Sequence, residues 1–156
     1  MSTSLPKSAR RVAAKPLLQP DLFGFAFPIR VYFENTDAGG VVYHAEYLKF
    51  LERARTEWLR KLGFTHHMLA KKHGVVFVAS GIAADFVRPA KLDDSLAVGV
   101  QVESVGKVRV IFHQEIRKDD DEVLVRACVT IACVSVEGFK PVPIPLELVK
   151  KLEAAT

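Results

Sequence analysis

Apolar residues after position 43 recur at helical spacing. Tyr47, Leu48, Leu51, Ala54, Trp58, Leu59 and Leu62 fall on one side of a 3.6-residue turn, and Lys49, Glu52, Arg53, Thr56, Glu57, Arg60 and Lys61 fill the other. This predicts one long amphipathic helix over residues 43–62, ended by Gly63 as a C-terminal cap. A short helical turn is expected around residues 67–72, closed by Gly74. The period then changes. Residues 75–87, 92–105, 108–118 and 122–136 are long runs rich in β-branched side chains, separated by Arg88-Pro89, Gly106-Lys107 and Asp119-Asp120-Asp121. Before the helix, residues 28–34 read as a short strand, broken by the Asn, Asp and Gly residues of 35–40. Residues 145–154 form a terminal helix or an irregular cover.

Strands and helices are therefore segregated along the chain. That argues for an α+β fold with an antiparallel sheet, its last three long strands forming a meander and one helix covering a face. Several arrangements satisfy this pattern.

Composition narrows the functional classes. The 156 residues are 49% apolar and 26% charged, an ordinary globular balance for one domain. No apolar run is long enough to cross a bilayer, and none near the start resembles a secretory core, so a cytoplasmic protein without membrane insertion is expected. Cys128 and Cys133 imply neither a disulfide framework nor a four-ligand metal site, and both read as small buried core residues. The net charge of +4 invites a nucleic-acid reading. However, residues 1–27 hold Lys7, Arg10, Arg11 and Lys15 against Asp21, a net of +3, and the remainder carries +1. The basic character belongs to a Ser-, Ala- and Pro-rich extension, and no nucleic-acid partner is expected. Residues 1–24 read as a flexible extension and 25–156 as the folded domain.

The candidate chemistry lies at Thr36-Asp37-Ala38-Gly39-Gly40-Val41-Val42-Tyr43-His44, where a strand end, a carboxylate and paired glycines lead into the helix. Glycines permit a sharp turn and a close approach by substrate. The first helical turn offers unpaired N–H groups and partial positive charge, suited to an oxyanion. A carboxylate just before it could attack a thioester carbonyl or deprotonate a water that does. Asp37 could equally cap a turn or the helix, and His44 could be a plain exposed helix residue.

The stretch 30–60, R-V-Y-F-E-N-T-D-A-G-G-V-V-Y-H-A-E-Y-L-K-F-L-E-R-A-R-T-E-W-L-R, closely resembles the 4-hydroxybenzoyl-CoA thioesterase-like family, in particular its Tol-Pal-associated acyl-CoA thioesterase branch. The R-P-A-K-L-D-D segment at 88–94 resembles the same branch. The resemblance implies a hotdog fold, a curved antiparallel sheet wrapped round one central helix. It also implies a homodimer or homotetramer and metal-free hydrolysis of acyl-CoA without a cofactor. It places the catalytic aspartate on Asp37 and the oxyanion-hole amide on His44, whose side chain matches a proposed assisting histidine. Gly39, Gly40 and Tyr43 fall in the same turn and helix start. Phe33 stands where several relatives have tyrosine, so no hydroxyl role transfers.

Other candidates are weaker. Glu46, Glu52 and Glu57 are helical carboxylates, and an Arg53–Glu57 pair one turn apart accounts for part of that face. Arg55 is a cation sharing the apolar side, as a paired buried charge or an interface residue. His66, His67 and His73 lack partners at metal-ligand spacing and read as solvated. Lys107 and Arg109, at a hairpin turn, are candidates for CoA phosphates, or a solvated tip. Beyond hydrolysis of acyl-CoA, a hotdog dehydratase would need a different His and carboxylate placement. A non-catalytic module binding acyl-CoA or acyl carrier protein is the remaining alternative.

Overall fold

The computed structural model describes residues 24–118 and 122–156. The extension assigned to residues 1–24, apart from Gly24, and the Asp119-Asp120-Asp121 breaker lie outside the described residues. The elements run β1 (Ala26–Arg30), α1 (His44–Lys61), α2 (His66–His73), β2 (Val75–Phe86), β3 (Ser95–Val105), β4 (Arg109–Lys118), β5 (Glu122–Ser135) and α3 (Leu146–Ala154). The sheet order is β1-β3-β4-β5-β2, and every neighbouring pair is antiparallel. This is the hotdog arrangement. β3, β4 and β5 follow one another through short connections and pair in sequence order, while β2 crosses over to the outer edge of β5 and forms the longest pairing.

Register shifts at Ala79/Gly81, Val102/Ser104 and Ile116/Arg117 bend the strands, as bulges do, and curl the sheet toward the helix. The inner face is built by alternate residues such as Val98, Val100, Phe112, Ile116, Val125, Ala127 and Val129. Phe50, Leu51, Ala54 and Trp58 of α1 pack onto it, with the Trp58 and Phe112 rings 5.5 Å apart at 84°. Phe50 is fully buried, whereas Leu48, placed on the apolar stripe by its spacing, is exposed. The true stripe runs 47, 50, 51, 54, 58, so its centre sits nearer Phe50 than the sequence pattern suggested. Gly63, at φ +96, follows Leu62 and turns the chain out of the helix.

Three further expectations are corrected. The first strand stops at Arg30, and Phe33–Asn35 forms a 3-10 turn because the Asn35 side chain takes the Tyr32 amide. Glu57 pairs with Arg60 rather than Arg53. Cys133 is core, but Cys128 lies on the opposite, outer face beside Glu103, since five residues along a strand reverse the side-chain direction. Burial raises both thiols, Cys133 to about 11, so neither is a ready nucleophile.

Candidate functional site

The carboxylate turn is held from three sides. Asn35, buried at 3% exposure, accepts the Tyr32 amide on Oδ1 at 2.8 Å and donates from Nδ2 to Glu46 Oε2 at 2.8 Å. Its backbone carbonyl accepts the Tyr43 amide at 2.9 Å, which sets the chain at the entry of α1. The Asp37 amide donates to the Val41 carbonyl and the Gly40 amide to the Asp37 carbonyl, at 2.9 and 3.0 Å, closing a tight reversal over 37–41. Gly40 has φ +79, a conformation that L residues rarely adopt. At Gly39 a Cβ would stand 3.1 Å from Asp37 Oδ1, so the carboxylate occupies the space a side chain would take. Asp37 Oδ1 accepts the Gly39 amide at 2.8 Å. Asp37 thus caps its own turn and not the helix.

The segment between β2 and β3 forms the third wall. The Val42 amide donates to the Ala90 carbonyl at 2.9 Å, and Val41 bridges Lys91. The Ala90 amide in turn donates to the buried Tyr47 hydroxyl at 2.9 Å, one helical turn inside α1. Asp94 closes this loop by accepting the Lys91 amide at 2.8 Å and pairing with Lys118 at 3.1 Å. Burial alone would raise the Asp94 carboxyl, but those partners outweigh it and hold it below its usual value. Lys49 and Asn35 likewise hold the Glu46 carboxyl low.

Tyr43 precedes α1 without a side-chain cap. Among the described residues the helix-start amides of His44 and Ala45 have no acceptor, leaving donors open beside the carboxylate turn. The exposed His44 ring rests between Tyr43, centroids 4.5 Å apart, and Phe86 at the end of β2, 6.3 Å away. It makes no hydrogen bond to Asp37. The structure therefore gathers Asp37, Gly39, Gly40, Tyr43 and His44 at one junction. Lys107 and Arg109 sit at the β3–β4 turn, at the far end of β3 from that junction. The eleven residues of β3 set the two ends roughly 33 Å apart at the usual rise per residue. One chain does not bring them to Asp37. His66 turns to Thr56, with Nε2 and Oγ1 3.2 Å apart, and His73 to Glu147 at 2.7 Å. Among the described residues no three His, Cys, Asp or Glu side chains group as metal ligands.

A cleft of about 410 Å³ opens between the second half of α1 and the inner faces of β2, β4 and β5. α1 packs chiefly on β3 and β1 and α2 on β2, and Leu148 and Leu152 of α3 also line the cleft. Trp58, Phe77, Phe112, Ile131 and Leu148 line it, together with the Arg55 guanidinium. Sequence patterning missed Asn35 and Tyr47 as organisers of the turn, because each reads locally as a breaker or a stripe residue. The signal available for Asn35 was its place one residue before the Thr36-Asp37 turn.

A curled antiparallel sheet about one central helix is a hotdog fold, here with a carboxylate turn at the helix entry. The Thioesterase superfamily model matches residues 39–125, and the chain belongs to that family. It is 47% identical over 125 residues to acyl-CoA thioesterase YbgC of Haemophilus influenzae, spanning 80% of this chain and 91% of that protein. It is 39% identical over 129 residues to acyl-CoA thioester hydrolase YbgC of an Escherichia coli O6:H1 strain, spanning 83% and 96%. Among solved structures, one described as a probable thioesterase from Bartonella henselae superposes with a TM-score of 0.73 at 37% identity, over 78% of this chain and 98% of that one. No helix among the described residues is long and apolar enough to cross a membrane.

Proposed function

We propose that the protein hydrolyses acyl-CoA to the free acid and CoA, with Asp37 as the reacting carboxylate and the α1 start as the oxyanion hole. The observation that carries this reading is the Asp37–Gly39 contact at 2.8 Å. One carboxylate oxygen is fixed by an amide, and among the described residues the other has no hydrogen-bond partner, in the turn that leads into the open amides of α1. With Asp37 as general base, water gives its proton to the carboxylate as its oxygen adds to the carbonyl carbon. The carbonyl electron pair moves onto oxygen, where the His44 amide receives it. Collapse then breaks the C–S bond, and the departing CoA sulfur takes up a proton. With Asp37 as nucleophile, the carboxylate displaces CoA to give a mixed anhydride that water opens. Both routes balance and both need the same two groups. The His44 side chain has a smaller part, since its ring packs on Tyr43 and Phe86.

Pairing of two copies completes the site. β2 is an edge strand twelve residues long, and Val78, Ile82 and Phe86 on it are exposed. An unpaired edge of that length is a template for another strand. Antiparallel pairing of β2 with its own copy lays the Phe86 end of one chain against the Val76–Ala79 half of the other. The His44–Asp37 junction of each subunit then faces the cleft of its partner. Lys107 and Arg109, at the cleft end of their own chain through Val110, become candidates to hold CoA phosphates for the partner's Asp37. The catalytic unit in this reading is residues 25–156 as a homodimer, or a tetramer of such dimers, in the cytoplasm. CoA or acyl carrier protein delivers the acyl group.

The test is thiol release from a panel of acyl-CoAs by the purified protein, repeated with Asp37→Asn. Turnover by the wild type and its loss in the variant is the expected result. Tight acyl-CoA binding without turnover in the wild type would replace it with the binding-module reading.

A further inference from the structure

Arg55 is a half-buried cation on the apolar side of α1. Its Nη1 donates to Gln114 Oε1 at 2.8 Å, and the fully buried Gln114 donates from Nε2 to the Leu51 carbonyl at 3.1 Å. That second bond fixes the amide, because the nitrogen is committed to the helix and the oxygen must face Arg55. A guanidinium has five N–H donors. Gln114 takes one, and among the described residues no carboxylate lies within ion-pair range. Glu52, three residues earlier, acts on Arg55 only through space. Burial pulls the guanidinium down to about 10, as expected for a cation withdrawn from water without a contacting anion.

Arg55 lines the cleft, whose other walls include Trp58, Phe77, Phe112 and Ile131. A cation in apolar walls is unfavourable unless a hydrogen-bonded anion meets it. The planar guanidinium fork matches a carboxylate in two parallel hydrogen bonds. Glu52 also borders the cleft but is exposed, so water screens it. Arg55, set deeper, dominates the field inside.

We propose that Arg55 receives a carboxylate carried at the far end of the acyl group, so that the preferred substrates are CoA monothioesters of dicarboxylic acids. This rests on the acyl-CoA reading above and adds the substrate class. Arg55 acts here as a specificity residue, distant from the reacting carbonyl, and the apolar walls hold the methylene chain between them.

The experiment compares acyl groups of equal shape. Succinyl-, glutaryl- and adipyl-CoA are matched with 4-methylpentanoyl-, 5-methylhexanoyl- and 6-methylheptanoyl-CoA, in which an isopropyl group replaces the carboxylate. Rates without enzyme are subtracted. At the best chain length the wild type should favour the carboxylate member by at least about tenfold in kcat/KM, a modest selectivity for a site built to hydrogen-bond its ligand. Arg55→Met should bring that ratio close to one, and Arg55→Lys should retain part of it. A merely structural Arg55 would lower both rates together and leave the ratio unchanged. Should Arg55→Met not fold, the wild-type ratio alone decides. The same tails on non-hydrolysable CoA thioethers, measured by calorimetry, separate the two readings. Discrimination in binding without any hydrolysis overturns the thioesterase and keeps this site, whereas equal affinities and equal rates at every length overturn the role of Arg55.

Discussion

The Asn35 side chain donates to Glu46 at 2.8 Å and so ties the approach to the carboxylate turn to the first turn of α1. The same residue takes the Tyr32 amide through its side chain and the Tyr43 amide through its carbonyl. One buried amide therefore fixes where the chain enters the turn and where it leaves it. Asn35→Ala should cost about 1–3 kcal/mol of stability, the usual penalty for leaving buried partners unmatched. It should also lower turnover, because the helix-start amide and Asp37 lose their common anchor. Denaturant unfolding and thiol-release kinetics on the same preparation test this. An unchanged stability would show that water replaces the amide without loss.

Glu46 adds a pH dependence to that latch. Its carboxyl is held below 4.5, first by the Lys49 hydrogen bond and then by that of Asn35. A folded-state value below the unfolded one means that the stabilisation is present above about pH 4.5 and is lost as pH falls through the lowered value. Wild type should therefore melt above Glu46→Gln at neutral pH, and the gap should close in the acid range. The site is partly open to solvent, which keeps the gap small. A gap that persists at low pH would assign it to packing rather than charge.

Tyr47 should hold the turn from the other side. Its hydroxyl accepts the Ala90 amide at 2.9 Å, and the Ala90 carbonyl accepts the Val42 amide. Tyr47→Phe keeps the ring contacts with Phe50 and Phe86, 6.1 and 5.7 Å between centroids, and removes only the acceptor. Turnover should fall by up to about 10²-fold through misplacement of the carboxylate turn, with a much smaller change in KM. Equal kcat in the two proteins would show that the Ala90 segment is held without the hydroxyl.

Much of this framework was legible in the sequence. The change from helical to strand period at Gly74 gave the element order, and Asp37 with its glycines marked the turn. What escaped was set by partners distant in sequence. Asn35 reads as a strand breaker, yet its role depends on Glu46 eleven residues later. Leu48 and Phe50 exchanged places because helix spacing gives the direction of a stripe but not which neighbours cover its flank. Cys128 kept its apolar look while facing outward beside Glu103, since the face of a strand residue follows from register. Lys107 and Arg109 flank the β3–β4 turn as their place after Gly106 suggested, Arg109 as the first residue of β4. Their distance from Asp37 depended on which end of β3 that turn closes.

Assembly is tested at the edge strand. Ile82→Asp puts a charge in the middle of β2, where pairing with a second copy would bury it. The wild type should show a mass that is an even multiple of the 17.3 kDa chain in light scattering. The variant should be monomeric and inactive, because each cleft would lose the Asp37 junction facing it. An active monomer would place the whole site within one chain.

Asp37→Asn is the most direct test, because it preserves shape and removes the charge. The asparagine side chain still accepts the Gly39 amide through its oxygen, so the turn closed by Gly40 should survive. It can neither take a proton from water nor attack the thioester as a carboxylate. General-base assistance is typically worth about 10²–10⁴-fold, so kcat should fall by at least about 10²-fold while acyl-CoA binding is retained. His44→Ala should cost less, since its backbone amide remains and its ring packs against Tyr43 and Phe86. Single-turnover kinetics then separate the two routes, because a nucleophilic Asp37 predicts that hydroxylamine traps an acyl-enzyme in the wild type and not in the variant. If Asp37→Asn hydrolyses its best substrate at the wild-type rate, the carboxylate turn is not the reacting centre. The exposed Glu52 at the cleft would then be the next carboxylate to replace.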